Sequence, residues 1–567
     1  MCANIVYINE ISSEYNYEEG NIMKNIAYFT MEIAPAPISI KNSEDFRTYS
    51  GGLGVLAGDY FKQATDEKRP ITFLSILWKN GYNKQTVENG IVIDALNPND
   101  KWRDYVTDTG KTVTVTIDNF DVTLKIWKFN DGELYMLDAD LECNYDYRYL
   151  TYNLYGGNEK FQNQAEKERI CQEIILGIGG LEVLRVLNKP VSIYHFNDGH
   201  AIYAVHKLIH DYMNHGFSFE DSVRIVKTLV RFTTHTNVAS GNEKHDINTL
   251  IQFGANHYLS YNQLEQLGGN PYGMTVAALH TAIKVNAVAK IHSETANVLW
   301  KHLDGIPTIF PITNGIHLNT WQYEDIYKAY EAKDLKALSD VHSVHKKELI
   351  DFVYEKTCIK LDENSLLIGF ARRATDYKRW DLFAKIPEAL SYIISRFNVQ
   401  FVFAGKCHKD DYVGRGYIQS ICNLANKYPN NIIFLEGYDV NIAKKLEGGS
   451  DIWLNTPNGL EASGTSGMKA GANGCVNFST LDGWWKEACL HGINGFEIHL
   501  HNSIENSDER DRRDCESLMY HLINEILPVY LNDKSAWSQI MYKSIETVDQ
   551  YFTTKRMIAE YFEKLYI

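Results

Sequence analysis

Between Asn458 and Glu487 the chain reads NGLEASGTSGMKAGANGCVNFSTLDGWWKE, its densest run of small residues beside a reactive one. Gly464, Thr465, Ser466 and Gly467 open what the spacing predicts as a helix, and the bare N–H groups and positive dipole end of such a helix can hold a phosphate. Lys469 follows on the first helical turn. A lysine beside a phosphate cradle has two uses: a Schiff base with a carbonyl cofactor such as pyridoxal phosphate, or neutralisation of an anion. A plain glycine-rich turn has the same composition. A second segment, GFARRATDYKR from Gly369 to Arg379, sets Arg372, Arg373, Lys378 and Arg379 at the end of a predicted strand. Such a cluster is either a solvated helix end or an anion site, and its place after a buried strand favours the anion.

The elements that must position these segments alternate. NIAYFTMEI (25–33) reads as a buried strand, and the loop Ser50-Gly51-Gly52-Leu53-Gly54 leads into a helix, VLAGDYFKQATDE. Residues 112–140 alternate apolar and polar side chains around Asp-Asn and Asn-Asp-Gly turns, which predicts an antiparallel insertion. From 165 a β/α series runs to PTIFPIT (307–313), and a second follows a helical stretch at about 323–360 with the strands LLIGFA, VQFVFAG, NIIFLEG and DIWLNTP. Strands separated by helices form parallel, doubly wound sheets. The expected fold class is α/β, with two Rossmann-like domains (24–322 and 323–567) facing a central cleft. A polar tail (1–23) precedes them, and the last helix, near 541–567, is free to cross back. The site is expected at the strand carboxyl ends.

Of 567 residues, 72 are acidic and 56 are Lys or Arg, a net charge of −16, which argues against a general nucleic-acid or anionic-membrane binder. The 44% hydrophobic and 23% charged composition is that of an ordinary globular chain. No run approaches the roughly 18 apolar residues of a membrane span, and the first residues, MCANIVYINEISSEYNYEEG, lack the basic start and apolar run of a signal peptide. Nine cysteines without a CxxC pair are expected to be buried thiols of a reducing cytoplasm. His235 and His245 flank Glu243, but without HExxH spacing or an evident third ligand, so no metal is expected. A homodimer is compatible with the sequence.

EASGTSGMK (Glu461 to Lys469), followed by Thr480-Leu481-Asp482-Gly483, resembles the pyridoxal-phosphate attachment segment of the α-glucan phosphorylases, with Gly467 as in the shorter bacterial and archaeal branch. GFARRATDYKR resembles that family's phosphate-binding segment, Gly51-Gly52-Leu53-Gly54 its GGLG loop, and FLEGYD (434–439) its FLENY segment. His195 to His200, Thr233 to Thr236, and Thr313 to Ile316 with Trp321 match three further motifs in family order.

The resemblance implies a GT-B architecture and pyridoxal 5′-phosphate on Lys469, with Gly464, Thr465, Ser466, Gly467, Tyr438 and Arg372 around it. It also implies that Arg373 and Lys378 hold the phosphates, with Tyr377 lining the site and the Gly52 and Leu53 amides on the substrate phosphate. His235 and Asn314 would take the sugar 6-hydroxyl, Glu461 with Ala462 and Ser463 the 3-hydroxyl, and Asp198 and His200 the acceptor side. The implied reaction is retaining phosphorolysis of an α-1,4-glucan, glycogen or maltodextrin, by inorganic phosphate to give glucose 1-phosphate. One alternative is a glycogen-synthase-like transferase using a nucleotide sugar, against which Ser50 counts, since lysine usually precedes that loop there. Another is a catalytically dead glucan-binding protein. The acidic tail, with Ser12 and Ser13, sets the expectation of hyperbolic phosphate saturation without activation by AMP or phosphorylation.

Overall fold

Apolar runs separated by helices build two large sheets, as an α/β reading requires. The computed structural model describes residues 17–18, 21–22, 24–37, 46–81, 83–88, 90–161 and 164–567, so Ser12, Ser13 and most of the predicted tail lie outside the described residues. The first sheet has nine strands, ordered Ile309–Pro311, Lys284–Ala287, Val230–Thr233, Ile193–Asn197, Ile26–Phe29, Ile71–Ile76, Leu134–Asp138, Phe120–Phe129 and Val106–Ile117. Neighbours pair in parallel as far as Leu134–Asp138. The last two strands pair antiparallel, so residues 112–140 extend the main sheet.

The second sheet is parallel throughout, in the order Ile432–Leu435, Gln400–Ala404, Leu367–Ala371, Ile452–Asn455, Val476–Thr480 and Gly495–Ile498. Strands such as Ile26–Phe29, Leu367–Ala371 and Gln400–Ala404 are buried at every position, because crossover helices cover both faces of a parallel sheet.

Each sheet reverses its strand order once. In the first, the chain moves from Ile26–Phe29 to one side and from its neighbour Ile193–Asn197 to the other; in the second, the reversal lies between Leu367–Ala371 and Ile452–Asn455. Loops leaving a reversal diverge and open a crevice at the carboxyl ends. Glu32 and Asn197 leave the first reversal, and Arg372 and Asn458 the second.

Contacts between the halves include one at the chain end and one at a hairpin. The chain end returns to the first sheet, where Tyr566 Oη lies 2.7 Å from Tyr60 Oη and 2.7 Å from His195 Nδ1. The hairpin Lys84–Glu88 and Ile91–Ala95 docks on the second half: Gln85 bonds the backbone of Cys407 at 2.9 Å in both directions, and Arg415 pairs with Asp94. Cys171, Cys407, Cys475 and Cys515 are buried, but Cys143 and Cys358 are exposed, which corrects the expectation of buried thiols. Cys358 ends the helix Leu335–Thr357 in a left-handed conformation (φ 60°), where a surface helix end turns out to solvent. Among the described residues no helix is long and apolar enough to cross a membrane.

Candidate active site

The loops from both reversals line one cavity of about 610 Å³. On the first wall, helix Gly52–Asp66 starts after Gly51 with no side-chain cap. The Ser50 and Gly51 N–H groups donate to Oε2 of buried Glu32, at 2.5 and 3.0 Å, and Tyr155 Oη donates to its Oε1 at 2.7 Å. Glu32 thereby fixes the loop by its first two amides. Those of Gly52 and Leu53, on the cavity, are first-turn donors without an intrahelical acceptor. A methyl group at Gly54 would lie 2.6 Å from Tyr49 Cβ and 2.8 Å from Glu32 Oε2, so only glycine lets the carboxylate sit beneath the loop.

His235, after the strand Val230–Thr233, donates from Nε2 to Asn197 Oδ1 at 2.6 Å, and Asn197 Nδ2 donates to Thr30 Oγ1 at 3.1 Å. This network assigns the proton to Nε2 and leaves Nδ1 as an acceptor. Burial, with His292 and His200 nearby, pushes the imidazole down to about 3, so it is neutral. Asn314 is buried, and its Oδ1 has no hydrogen-bond partner among the described residues. The walls meet where Asn237 Nδ2 donates to Leu460 O at 3.3 Å.

The second wall carries charge. Arg372 is buried; its Nη2 lies 3.5 Å from Glu461 Oε2, while Nε and Nη1 have no hydrogen-bond partner among the described residues. Lys378 pairs with the same carboxylate. Burial alone would raise the Glu461 carboxyl, but Lys378 and then Arg372 outweigh it and hold it below its ordinary range. Burial and then Arg372 push the Lys378 ammonium down to about 8 against the pull of Glu461. Arg373 is exposed on the cavity. Arg379 turns away and braces the loop instead, donating to Thr456 O at 2.9 Å and pairing with Asp514 at 2.6 Å.

Helix Thr465–Ala472 begins after Gly464, whose φ of 83° suits glycine, and no side chain caps it. Lys469 is 6% exposed, and its Nζ sits 3.6 Å above the Trp321 ring, which Asp59 fixes through Nε1 at 2.8 and 2.9 Å. Among the described residues this amine has no carboxylate within ion-pair distance. Asp482 holds the preceding loop by accepting from the Gly459 and Glu461 N–H groups at 3.0 and 2.9 Å, and burial pushes its carboxyl up to about 6.

These donors fit an organic phosphate that carries an aldehyde. A bare helix N-terminus and two orphaned guanidinium nitrogens suit the phosphate, the Lys469 amine suits the carbonyl carbon, and Trp321 and Tyr438 offer ring faces.

Of the candidate residues read from sequence, all but Gly467, Asp198 and His200 line this cavity. Gly467 turns inward, where a methyl group would lie 3.0 Å from Trp484 Nε1. Asp198 folds back on the Gly199 N–H at 3.0 Å and receives Thr236 Oγ1 at 3.5 Å, so with His200 it stands behind the wall. Glu243 and His245 lie with Glu173 around Arg169, which donates to Glu243 at 2.9 Å and supplies the positive charge there. Sequence reading missed Glu32 and the bracing role of Asp482. The available signal for Glu32 was an acidic residue directly after a buried strand.

Residues 322–488 match the family model described as carbohydrate phosphorylase. The chain is 34% identical to a maltodextrin phosphorylase of Thermococcus litoralis, across 99% of this chain and 72% of that protein. It is 30% identical to a glycogen phosphorylase of Aquifex aeolicus (91% and 83% covered) and 28% identical to one of Mycobacterium tuberculosis (95% and 70%).

Proposed function

This chain belongs to the carbohydrate phosphorylase family, and from that premise we propose that it is a cytoplasmic α-glucan phosphorylase dependent on pyridoxal 5′-phosphate. It would release the non-reducing-end glucose of glycogen or maltodextrin as glucose 1-phosphate. The observation that carries this reading is the Lys469 amine, buried and, among the described residues, without a carboxylate within ion-pair distance, on a cavity wall that also carries Arg372, Arg373 and Lys378. The two sheets read as the two domains of a GT-B architecture, 24–322 and 323–567, with the last helix returning to the first.

Lys469 would anchor the cofactor by its aldehyde carbon, with its phosphate against the amides of helix Thr465–Ala472 and Arg372. When bound, the cofactor supplies a phosphate able to hold and return a proton. Arg373, Lys378 and the Gly52 and Leu53 amides would hold inorganic phosphate, and the cations offset the repulsion of two phosphates held close together. Phosphate arriving between Lys378 and Arg372 would draw both from Glu461, whose freed carboxylate can accept from a sugar hydroxyl. His235 Nδ1 and Asn314 Oδ1, both open, would accept from the hydroxymethyl group. Capture of the glycosyl carbon on the face the glucan leaves would retain configuration.

Holoenzyme incubated with maltodextrin should form glucose 1-phosphate only when inorganic phosphate is present. Free glucose without phosphate, or glucosyl transfer from a nucleotide sugar, would refute the reading.

A further inference from the structure

Helix Val440–Gly449 brings to the cavity one side chain for which the proposed reaction has no use. Glu447 is 1% exposed, lines the cavity, and among the described residues has no hydrogen-bond partner at Oε2. A buried carboxyl with an unmade bond is destabilising in either protonation state. Its position is accounted for if something entering the cavity completes it.

Two charged groups act on Glu447, Lys469 on the cradle helix and Asp59 on helix Gly52–Asp66, and Glu447 in turn raises Tyr438 at the head of its own helix, Tyr323 and Cys475. Lys469 is the cation felt most strongly, but it is not ion-paired to Glu447 within 4.0 Å among the described residues. Burial dominates and pushes the carboxyl up to about 8, with Lys469 opposing and Asp59 adding to the rise. Burial thus favours the protonated form of Glu447, an O–H donor on the cavity.

We propose that Glu447 is a positioning acid for the cofactor ring, donating a hydrogen bond to a ring acceptor of pyridoxal phosphate anchored at Lys469 and changing the bound chromophore when it ionises. This rests on the cofactor reading of Lys469. The step moves one proton: below the midpoint the carboxyl keeps it and shares it with the ring acceptor, and above the midpoint it is lost to solvent and the contact becomes repulsive. No other bond changes.

The test reconstitutes wild type, Glu447→Gln and Glu447→Asp with pyridoxal phosphate, maps the borohydride-stable adduct, and follows near-ultraviolet absorbance against pH. All three proteins should carry the adduct on Lys469. Wild type should show an alkaline-range absorbance inflection that is absent from Glu447→Gln and displaced in Glu447→Asp. An inflection unchanged in Glu447→Gln, with the adduct on Lys469, overturns the role of Glu447 and leaves the cofactor reading intact. If the Gln variant does not fold, an unchanged midpoint in Glu447→Asp does the same. A wild-type adduct elsewhere than Lys469 overturns the cofactor reading, and the role of Glu447 falls with it.

Discussion

The two cavity walls arise from the same topological feature, a reversal of strand order in a mostly parallel sheet, yet they are chemically unlike. The first offers the Gly52 and Leu53 amides, a neutral imidazole, the Asn314 amide and one cation, Arg47; the second offers Arg372, Arg373, Lys378, Lys406 and Lys469 with the carboxyl groups of Glu461, Asp439 and Glu447. Sugar hydroxyls need convergent neutral donors and acceptors, whereas phosphates need cations that cannot be left unpaired in low dielectric. The charged wall meets that requirement by pairing Lys378 and Arg372 with Glu461. The first wall is held by Glu32 and Asn197.

The largest test of this division is Lys469→Ala. It should abolish both the borohydride-stable adduct and phosphorolysis, checked by peptide mapping and product assay. Next, Arg373→Ala or Lys378→Ala should each lower kcat/KM for phosphate by about 10²–10³, roughly 3–4 kcal/mol of transition-state stabilisation, with glucan binding little changed. An equal loss in glucan affinity would break the assignment of charge to the phosphates. Glu32→Ala, on the first wall, strips the acceptor from two loop amides. It should raise the phosphate KM by about tenfold and lower stability by about 1–3 kcal/mol in denaturant titrations.

The smallest expected effect is on pH. Lys378 is held at about 8, below its ordinary 10.5, so it is charged below that value and neutral above it. Binding of inorganic phosphate by the holoenzyme, followed by calorimetric titration, should therefore weaken as pH rises, to about fourfold below its low-pH plateau half a unit above the Lys378 value. Lys378→Arg, which stays charged, should remove the decline.

The charged wall was largely legible in the sequence because its chemistry is packed into two contiguous segments, each following a strand whose unbroken apolar run announces burial on both faces. The supports were not. Glu32 with Ser50, Asn197 with His235, and Asp59 with Trp321 are joined only once sheet order brings distant segments together. Gly467 illustrates a further limit. Spacing puts it in the cradle, but the turn of the short helix points it at Asn477 and Trp484. Likewise the π-helical turns Ile175–Gly179, Leu522–Ile526 and Tyr561–Leu565 interrupt stretches whose apolar period reads as continuous α-helix.

The central claim is that one cavity brings the cofactor phosphate, inorganic phosphate and the terminal sugar together between its two walls. Phosphorus NMR of the holoenzyme during turnover of maltodextrin with inorganic phosphate addresses it most directly. The predicted spectrum shows a cofactor phosphate that is not consumed and a growing signal of α-glucose 1-phosphate alone. A β-anomer, or turnover that leaves inorganic phosphate unconsumed, would contradict the account.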